Sequence, residues 1–167
     1  MTRAGIAFGS NIGDRLRHLA SAREMIAALP RVQAPVLASP LYETAPIGCE
    51  PGAANFLNGV VEIGYDGDAH ALLHELRKIE SILGRSVDHQ RNASRTIDLD
   101  LLYFGTSAIT TGTLQVPHPR MHERRFVLQP LADIRPELLL PSQTETVAEL
   151  LHQLTDTSAV VRSTAQW

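Results

Sequence analysis

Two amphipathic helix patterns set among strand-like runs constrain the fold of this 167-residue chain more than any other feature. Apolar residues at spacings of three and four predict one helix over 15–29, with Asp14 as its N-cap and Pro30 at its end. The same spacing predicts a second helix over 72–83, which Gly84 closes. Apolar runs of strand length occur at 6–8, 36–42, 56–63 and 97–104. The resulting order βαββαβ indicates an α+β, ferredoxin-like core with an antiparallel-rich sheet and helices packed on it.

The segments between and after these elements are rich in turn-forming residues. Residues 44–54 contain several Pro and Gly and predict a loop, and the polar segment 86–94 predicts a mobile loop. A hairpin is expected around Thr111-Gly112-Thr113. Five prolines are expected to cut the remainder into short helices: Pro117, Pro119, Pro130, Pro136 and Pro141. Because there is no repeat, low-complexity tract or linker, residues 1–167 are expected to form a single domain.

The composition argues against several classes of protein. A formal net charge of -3 argues against a general nucleic-acid surface. The single cysteine, Cys49, allows no intrachain disulfide and no cysteine-based metal cage. The apolar runs are too short for a signal peptide or a membrane span. We therefore expect a cytoplasmic enzyme or binding domain with no nucleic-acid or membrane partner. A monomer is the expected oligomeric state.

Asp98 and Asp100 stand two residues apart in the last predicted core strand. Residues i and i+2 of a strand share a face, so the two carboxylates emerge side by side while the intervening apolar residues face the other way. Paired carboxylates repel each other unless a cation lies between them, and a hard divalent cation such as Mg²⁺ prefers such oxygen ligands. The alternative is a half-exposed edge strand that carries two unrelated Asp. Arg95, just before the pair, favours a metal–polyphosphate site.

Arginine dominates the basic residues of the chain, in which Lys78 is the only lysine. Between residues 85 and 125 there are six arginines against four acidic residues, so this window is locally positive within an acidic chain. Guanidinium groups form rigid forks that suit phosphate oxygens. The clustering favours a small anionic ligand. The alternative, an arginine preference set by genome composition, explains the residue type but not the clustering.

Three further residues have both a structural and a functional interpretation. His118 lies in a proline-bounded loop before a basic group, where it either supports the loop or donates a hydrogen bond to phosphate. Phe56 and Phe126 either belong to the core or, in a chain with only 5% aromatic residues, form a stacking clamp. The turn Gly9-Ser10-Asn11 lacks the spacing and the lysine of a Walker motif, which excludes a Walker-type nucleotide site.

Five segments in order along the chain carry a family resemblance. The most specific is Arg95-Thr96-Ile97-Asp98-Leu99-Asp100-Leu101-Leu102. The others are Ala7-Phe8-Gly9-Ser10-Asn11-Ile12-Gly13-Asp14-Arg15, Ser39-Pro40-Leu41-Tyr42-Glu43-Thr44-Ala45-Pro46, Asn55-Phe56-Leu57-Asn58, and Val116-Pro117-His118-Pro119-Arg120-Met121 with Arg124-Arg125-Phe126-Val127-Leu128. Together they resemble the 6-hydroxymethyl-7,8-dihydropterin pyrophosphokinase family of folate biosynthesis.

The resemblance implies an α+β, ferredoxin-like fold and transfer of pyrophosphate from ATP to the hydroxymethyl group of the pterin, leaving AMP. It implies two Mg²⁺ ions, held by Asp98 and Asp100, that bridge the ATP phosphates. The implied catalytic residues are Arg85, Arg95, Asp98 and Asp100. The implied pterin-binding residues are Thr44, Phe56, Asn58 and Phe126. The implied ATP-binding residues are Glu80, Arg91, Arg95, His118 and Arg124, with Arg85 and Arg91 on a loop that closes over ATP.

The chain departs from the family pattern at three places. Asn92-Ala93-Ser94 replaces a common Trp-Gly-Pro, Val87 replaces a basic residue, and Thr113 stands where an arginine often meets ATP. These departures concern loop closure and nucleotide affinity and leave the metal pair and the pterin residues intact. Two alternatives therefore stay open. One is a pterin- or nucleotide-binding module without turnover, and the other is a different metal-dependent phosphotransferase or phosphohydrolase that does not need the pterin residues.

Overall fold

A computed structural model of the chain describes residues 1–46, 52–84 and 95–167. These ranges contain eight strands and four α-helices. The strands are β1 (Thr2–Ser10), β2 (Val32–Ala38), β3 (Tyr42–Thr44), β4 (Phe56–Tyr65), β5 (Asp98–Phe104), β6 (Ile109–Thr110), β7 (Gln115–Val116) and β8 (Val160–Arg162). The helices are α1 (Arg15–Ala27), α2 (Ala69–Ile82), α3 (Arg125–Ile134) and α4 (Val147–Gln153), with a short 3₁₀-helix at Met121–Glu123.

One antiparallel sheet organises the molecule, with β1 and β4 at its centre. The strand order is β5-β1-β4-β3-β8, and β2 pairs with β4 next to β3. Every neighbouring pair in this sheet is antiparallel. β6 and β7 form the predicted hairpin around Thr111-Gly112-Thr113. The predicted mixture of an antiparallel sheet with helices is therefore confirmed.

The predicted second strand, 36–42, is wrong as a single element, because the chain forms β2 and β3 on either side of Ser39-Pro40. Pro40 has no backbone N–H and interrupts a strand ladder. Ser39 holds this break against β4: its N–H donates to the Val60 carbonyl at 2.9 Å, and its hydroxyl accepts from the Val60 N–H at 2.9 Å. As a result, β3 is a separate short strand whose Tyr42 and Thr44 are both buried.

Helices cover both faces of the sheet. α1 and α2 pack with Ile6 and Phe8 of β1 in one core, whereas α3 and α4 pack with Val60 and Tyr103 in a second core. The predicted helices 15–29 and 72–83 are both present, with slightly different ends. Asp14 caps α1 as predicted, since its carboxylate accepts from the Arg17 N–H at 3.1 Å. In the described ranges, no helix has both the length and the hydropathy that a membrane span needs.

A register shift between Gly5 and Ile6 of β1 changes which residues of β5 face the second core. Leu99 and Leu101 point into the first core, but Tyr103 enters the second. The Tyr103 ring lies directly against Gly5, where an added Cβ would come 2.1 Å from a ring carbon. Glycine is therefore required at residue 5 for the tyrosine to cross β1 toward β4.

The C-terminal third differs most from the sequence prediction. α3 runs through Pro130, which the sequence analysis expected to divide helices. Residues Val160–Arg162 add β8 against β3, an element too short to show a periodic pattern. Trp167 packs edge-on against Phe8 with ring centroids 4.9 Å apart, and its Nε1–H donates to the Ser39 carbonyl at 2.8 Å. This terminal segment therefore covers the first core from the side opposite α3.

Candidate active site

A cavity of about 420 Å³ opens at one end of the sheet, on the face that α3 covers. Its floor is formed by β1 and β4, and β5 and the residues leading into α3 form its walls. The floor residues of β1 include Ala7 and Gly9, which are too small to fill the space above them. The cavity divides into an aromatic, neutral half and a charged half.

Phe56 and Phe126 line the neutral half from different elements, Phe56 from the start of β4 and Phe126 from the first turn of α3. Neither ring is fully buried. Only 5% of the residues are aromatic, and these two are nevertheless not among the buried residues of either core. The Arg124 guanidinium lies 5.6 Å from the centre of the Phe126 ring, within the range of a cation–π contact. The two phenyl groups therefore leave apolar surface available to a flat ligand.

Asn58 and Thr44 form the polar edge of this half. The two side chains are 5% and 8% exposed, and the Asn58 Nδ2–H donates to Thr44 Oγ1 at 2.7 Å. Gly9 makes room for them, because a Cβ at residue 9 would lie 3.2 Å from Asn58 Oδ1. With its amide nitrogen held by Thr44, Asn58 keeps its carbonyl oxygen as a fixed acceptor beside Gly9.

Asp98 and Asp100 line the charged half, on the same face of β5, as their spacing predicts. Both are half-buried, whereas Leu99 between them is buried in the first core. The Leu99 N–H, which points away from β1 at the edge of the described sheet, donates to Glu80 Oε1 at 2.8 Å. Glu80 is itself only 5% exposed. Its hydrogen bond therefore holds the backbone between the two aspartates from the edge of β5 that faces away from β1.

Arg95 borders the aspartates and is itself held in place. Its backbone N–H donates to Asn11 Oδ1 at 2.7 Å, and its carbonyl accepts from the Asn11 N–H at 3.0 Å. One terminal nitrogen of Arg95 pairs with the Asp98 carboxylate. The buried Arg95 Nε finds no hydrogen-bond partner among the described residues, and therefore offers a donor to an anionic ligand.

Among the described residues, the charges around the cavity nearly balance. Three arginines of this part of the chain line it, Arg95, Arg120 and Arg124, together with four carboxylates, Asp98, Asp100, Glu123 and Asp156. Burial, followed by the charge of Arg120, lowers the pKa of the Arg124 guanidinium, while Asp100 and Asp98 oppose that shift. A polyphosphate would therefore meet carboxylates as well as guanidiniums, and its binding here calls for an additional cation.

His118 lies beside the cavity but not among the residues that line it. Its Nδ1 accepts from the Arg120 N–H at 3.2 Å, which places the proton of the neutral ring on Nε2. Burial and the charges of Arg124 and Arg120 lower the pKa of His118, and Asp98 only partly offsets them. His118 is therefore a neutral hydrogen-bond donor at neutral pH.

The structure brings most of the predicted site residues into one cavity. Its lining includes Thr44, Phe56, Asn58, Arg95, Asp98, Asp100, Arg124 and Phe126. Glu80 and His118 stand just behind the lining, in the positions given above. Arg85 and Arg91, together with the predicted mobile loop 86–94, lie outside the described residues.

The cavity is also lined by three residues that the sequence does not predict as site residues, Arg120, Glu123 and Asp156. Arg120 and Glu123 belong to the charged segment before α3. In the sequence, this local cluster of charges is the only feature that could have indicated a role for them in the site. Asp156 is distant in sequence and is brought in because its carboxylate accepts from the Arg125 N–H at 3.1 Å. That contact depends on the folded position of α3 and leaves no trace in the sequence.

The arrangement is typical of a protein that binds a flat small molecule next to a phosphate group. An aromatic slot with a polar edge adjoins a group of arginines and carboxylates. The 7,8-dihydro-6-hydroxymethylpterin-pyrophosphokinase family model matches residues 5–136. The chain therefore belongs to this family, and the predicted membership is confirmed.

Individual relatives agree with the family match. A protein of Methylorubrum extorquens named 2-amino-4-hydroxy-6-hydroxymethyldihydropteridine pyrophosphokinase is 41% identical over 162 residues, which cover 97% of this chain and 99% of the relative. A protein of the same name from Bacillus subtilis is 47% identical over 133 residues, 78% of this chain and 77% of the relative.

A solved structure supports the fold. In Plasmodium falciparum HPPK-DHPS, a chain superposes with a TM-score of 0.70 at 14% identity, over 91% of this chain and 44% of that chain. This chain thus spans less than half of that protein, and at this identity the likeness concerns the fold alone.

Proposed function

We propose that this chain transfers the pyrophosphate group of ATP to the hydroxymethyl group of 6-hydroxymethyl-7,8-dihydropterin, releasing AMP, as a step of folate biosynthesis. The names of its full-length relatives support this reaction. The observation that carries the proposal is that one cavity joins an aromatic slot with a buried amide to an arginine and carboxylate site. A reaction between a flat ring and a polyphosphate requires these two halves side by side.

In the proposed complex, the pterin ring lies between Phe56 and Phe126. Burial of a flat ring against phenyl groups contributes about 0.5–1.5 kcal/mol per aromatic contact beyond the area it buries. The polar edge of the ring meets Asn58, whose carbonyl oxygen accepts from ring N–H groups, and Thr44, which holds the amide in that orientation. The 5% exposure of Asn58 supports a role in recognition, because a ligand that leaves a buried amide unpaired binds poorly.

ATP is proposed to place its phosphates in the charged half. Arg95 offers its Nε and Arg124 its guanidinium to phosphate oxygens, and His118 donates from Nε2. Glu80 acts indirectly in this proposal, by fixing the strand between the aspartates close to the nucleotide. Arg85 and Arg91 keep their proposed roles in closing over ATP, which rest on the sequence.

Asp98 and Asp100 are proposed to hold Mg²⁺. Within the described ranges, no three His, Cys, Asp or Glu side chains are grouped as ligands of one metal ion. Two carboxylates in an open cavity nevertheless fit Mg²⁺, which keeps several positions for substrate phosphates and water. When bound, Mg²⁺ would neutralise triphosphate charge that the nearly balanced lining cannot. We propose two ions, as the family resemblance implies.

The transfer itself then needs little from the protein beyond position and charge. The pterin hydroxyl attacks the β-phosphorus and gives up its proton to water, the bond from the β-phosphorus to the bridging oxygen breaks, and AMP leaves with that oxygen and its electron pair. Arg95 and Arg124 stabilise the charge that develops on the phosphate oxygens, and the two phenyl rings hold the hydroxyl in line. No covalent nucleophile is required in this scheme.

The strand order also supports a finer description of the fold. In β5-β1-β4-β3, the first and third strands of the βαββαβ series lie at the centre and the fourth and second lie outside them, as in a ferredoxin-like sheet, with β2 and β3 together as the second strand. We propose that the core is ferredoxin-like with a split second strand. A single domain over 1–167, a monomeric state and a cytoplasmic location stay predictions from the sequence.

The proposal is tested by identifying the product. Wild-type protein with ATP, Mg²⁺ and the pterin is expected to release AMP, measured by chromatography. Asp98→Asn and Asp100→Asn are expected to abolish this release while the pterin still binds in calorimetry. Asp66→Asn, at an exposed position outside the cavity, is the matched control and is expected to retain turnover.

Each contrary outcome selects an alternative. Pterin binding without any AMP would leave a binding module. Release of ADP or inorganic phosphate, unaffected by loss of Phe126, would indicate another metal-dependent phosphotransferase or phosphohydrolase. Near-normal AMP release by either aspartate variant at saturating Mg²⁺ would remove the metal assignment.

A further inference from the structure

α3 is fixed to the sheet at the end that lies away from the cavity. Its first turn carries Phe126 into the aromatic slot. In its last turn, Asp133 Oδ2 accepts from the Tyr42 hydroxyl at 2.6 Å. The residue that caps the helix, Arg135, places a terminal nitrogen 3.4 Å from Glu62 Oε1. Two polar contacts thus join the far end of α3 to β3 and β4.

Glu62 is the centre of a buried charge cluster. Its side chain has no exposed surface, and it accepts from Arg3 Nε at 2.8 Å and from the Tyr103 hydroxyl at 2.5 Å. A second Arg3 nitrogen lies 2.6 Å from the same carboxylate. A buried carboxylate is costly unless such partners surround it, and apolar side chains of similar volume often stabilise a core equally well. Stability alone therefore does not account for this cluster.

The anchors lie on the same strand faces as the pocket residues. Glu62 follows Asn58 by four residues on β4, and Tyr42 precedes Thr44 by two residues on β3, so each anchor shares a face with a pocket residue. Asp133 follows Phe126 by seven positions on α3, about 10 Å along the helix. A shift of the anchored end of α3 would therefore also displace Phe126.

We propose that the Tyr42–Asp133 and Glu62–Arg135 contacts are positioning contacts that set the distance between Phe126 and the sheet, and so set the affinity for the pterin ring. The inference rests on the proposed function, because it concerns the same slot. Helix α3 has ten residues, too few to be stable alone, so its placement depends on tertiary contacts. None of the four anchor residues lines the cavity.

The decisive comparison is between Arg135→Met and Arg3→Met. Both remove one guanidinium from Glu62, but only Arg135 belongs to the α3 end of the cluster. Arg3 makes the shorter and more numerous contacts, so a purely structural cluster predicts the larger fall in Tm and the larger loss of function for Arg3→Met. The positioning role predicts that pterin Kd rises at least about fivefold in Arg135→Met, because the slot is then no longer preorganised for the ring. Arg3→Met should keep pterin Kd within about twofold of wild type.

A second pair of variants keeps the test independent of folding. Asp133→Ala, which removes the acceptor of the Tyr42 hydroxyl, is expected to raise pterin Kd as Arg135→Met does, and Arg135→Lys, which retains a cation, to restore part of the affinity. ATP-analogue Kd, measured without pterin, should stay near wild type in all of them. Equal rises in pterin Kd for the Arg3 and Arg135 variants, or none in the Arg135 and Asp133 variants, would overturn the inference. Failure of the wild-type protein to bind the pterin would instead overturn the proposed function.

Discussion

Replacing Thr44 by Val separates the hydrogen bond in the slot from its shape. Valine has nearly the same volume as threonine, so the change opens no cavity and removes only the hydroxyl that accepts from Asn58 at 2.7 Å. Because the two side chains are 5% and 8% exposed, water does not readily replace the lost acceptor. A buried donor left without its acceptor costs about 1–3 kcal/mol. In a chain of this size, that corresponds to a fall in Tm of about 2–12 °C.

The same substitution should weaken pterin binding. With Thr44 present, the Asn58 amide nitrogen is engaged, and its carbonyl oxygen is fixed as the acceptor for the pterin edge. Without Thr44 the amide is free to rotate, so the complex must order it and binding loses the benefit of preorganisation. We expect pterin Kd to rise by about fivefold or more, which corresponds to roughly 1 kcal/mol.

Scanning calorimetry and titration calorimetry measure the two effects on the same preparation. Thr110→Val provides the control, since it makes the same chemical change at an exposed strand residue and should shift the free energy of unfolding by less than about 0.5 kcal/mol. If Thr44→Val matched this control in both Tm and pterin Kd, then the Thr44–Asn58 bond would contribute neither to the fold nor to recognition, and the polar edge would have to be assigned elsewhere.

Three further changes test other parts of the molecule. Phe126→Ala should raise pterin Kd at least about tenfold by titration calorimetry while nucleotide Kd, measured without pterin, changes much less; an unchanged pterin Kd in folded protein would return Phe126 to the core. Gly5→Ala should lower the free energy of unfolding in denaturant titrations by about 1–3 kcal/mol, because its Cβ would overlap the Tyr103 ring, and wild-type stability would show that the ring moves freely. Burial and neighbouring arginines lower the pKa of His118 in the folded protein. The neutral ring therefore contributes fully to the stability of the fold above about pH 6.5, the pKa of histidine in the unfolded chain. This stability is lost as the pH falls from there toward the pKa of His118 in the folded protein. His118→Gln should therefore lose less Tm than wild type between about pH 7 and 5, and parallel Tm profiles would contradict this.

The structural features that the sequence predicted correctly are those that local geometry determines. Asp98 and Asp100 share a face because a strand alternates every two residues, and no tertiary information is needed for that. The Asp14 cap and the Gly84 terminus of α2 likewise follow from backbone chemistry within one turn. The residues that gather around the cavity from distant segments were placed together by the family resemblance rather than by periodicity.

The parts that the sequence missed depend on contacts between distant segments. The run 36–42 has the composition of one strand, but Pro40 and the Ser39 contacts to Val60 divide it. β8 has three residues and forms because β3 offers it an edge. The charge cluster around Glu62 could not be predicted either. Glu62 stands in an apolar strand, and nothing in the sequence indicates that Arg3, Tyr103 and Arg135 surround it.

Small residues on β1 explain why the cavity lies where it does. On the face that α3 covers, β1 presents Gly5, Ala7 and Gly9 in alternation. Over Gly5 the space is filled by the Tyr103 ring, which the register shift of β5 turns toward this face. Over Ala7 and Gly9 no large side chain from the described segments takes its place, and the cavity opens there. The same strand thus closes one end of the second core and leaves the other end open, with the buried charge cluster at the closed end and the candidate active site at the open end.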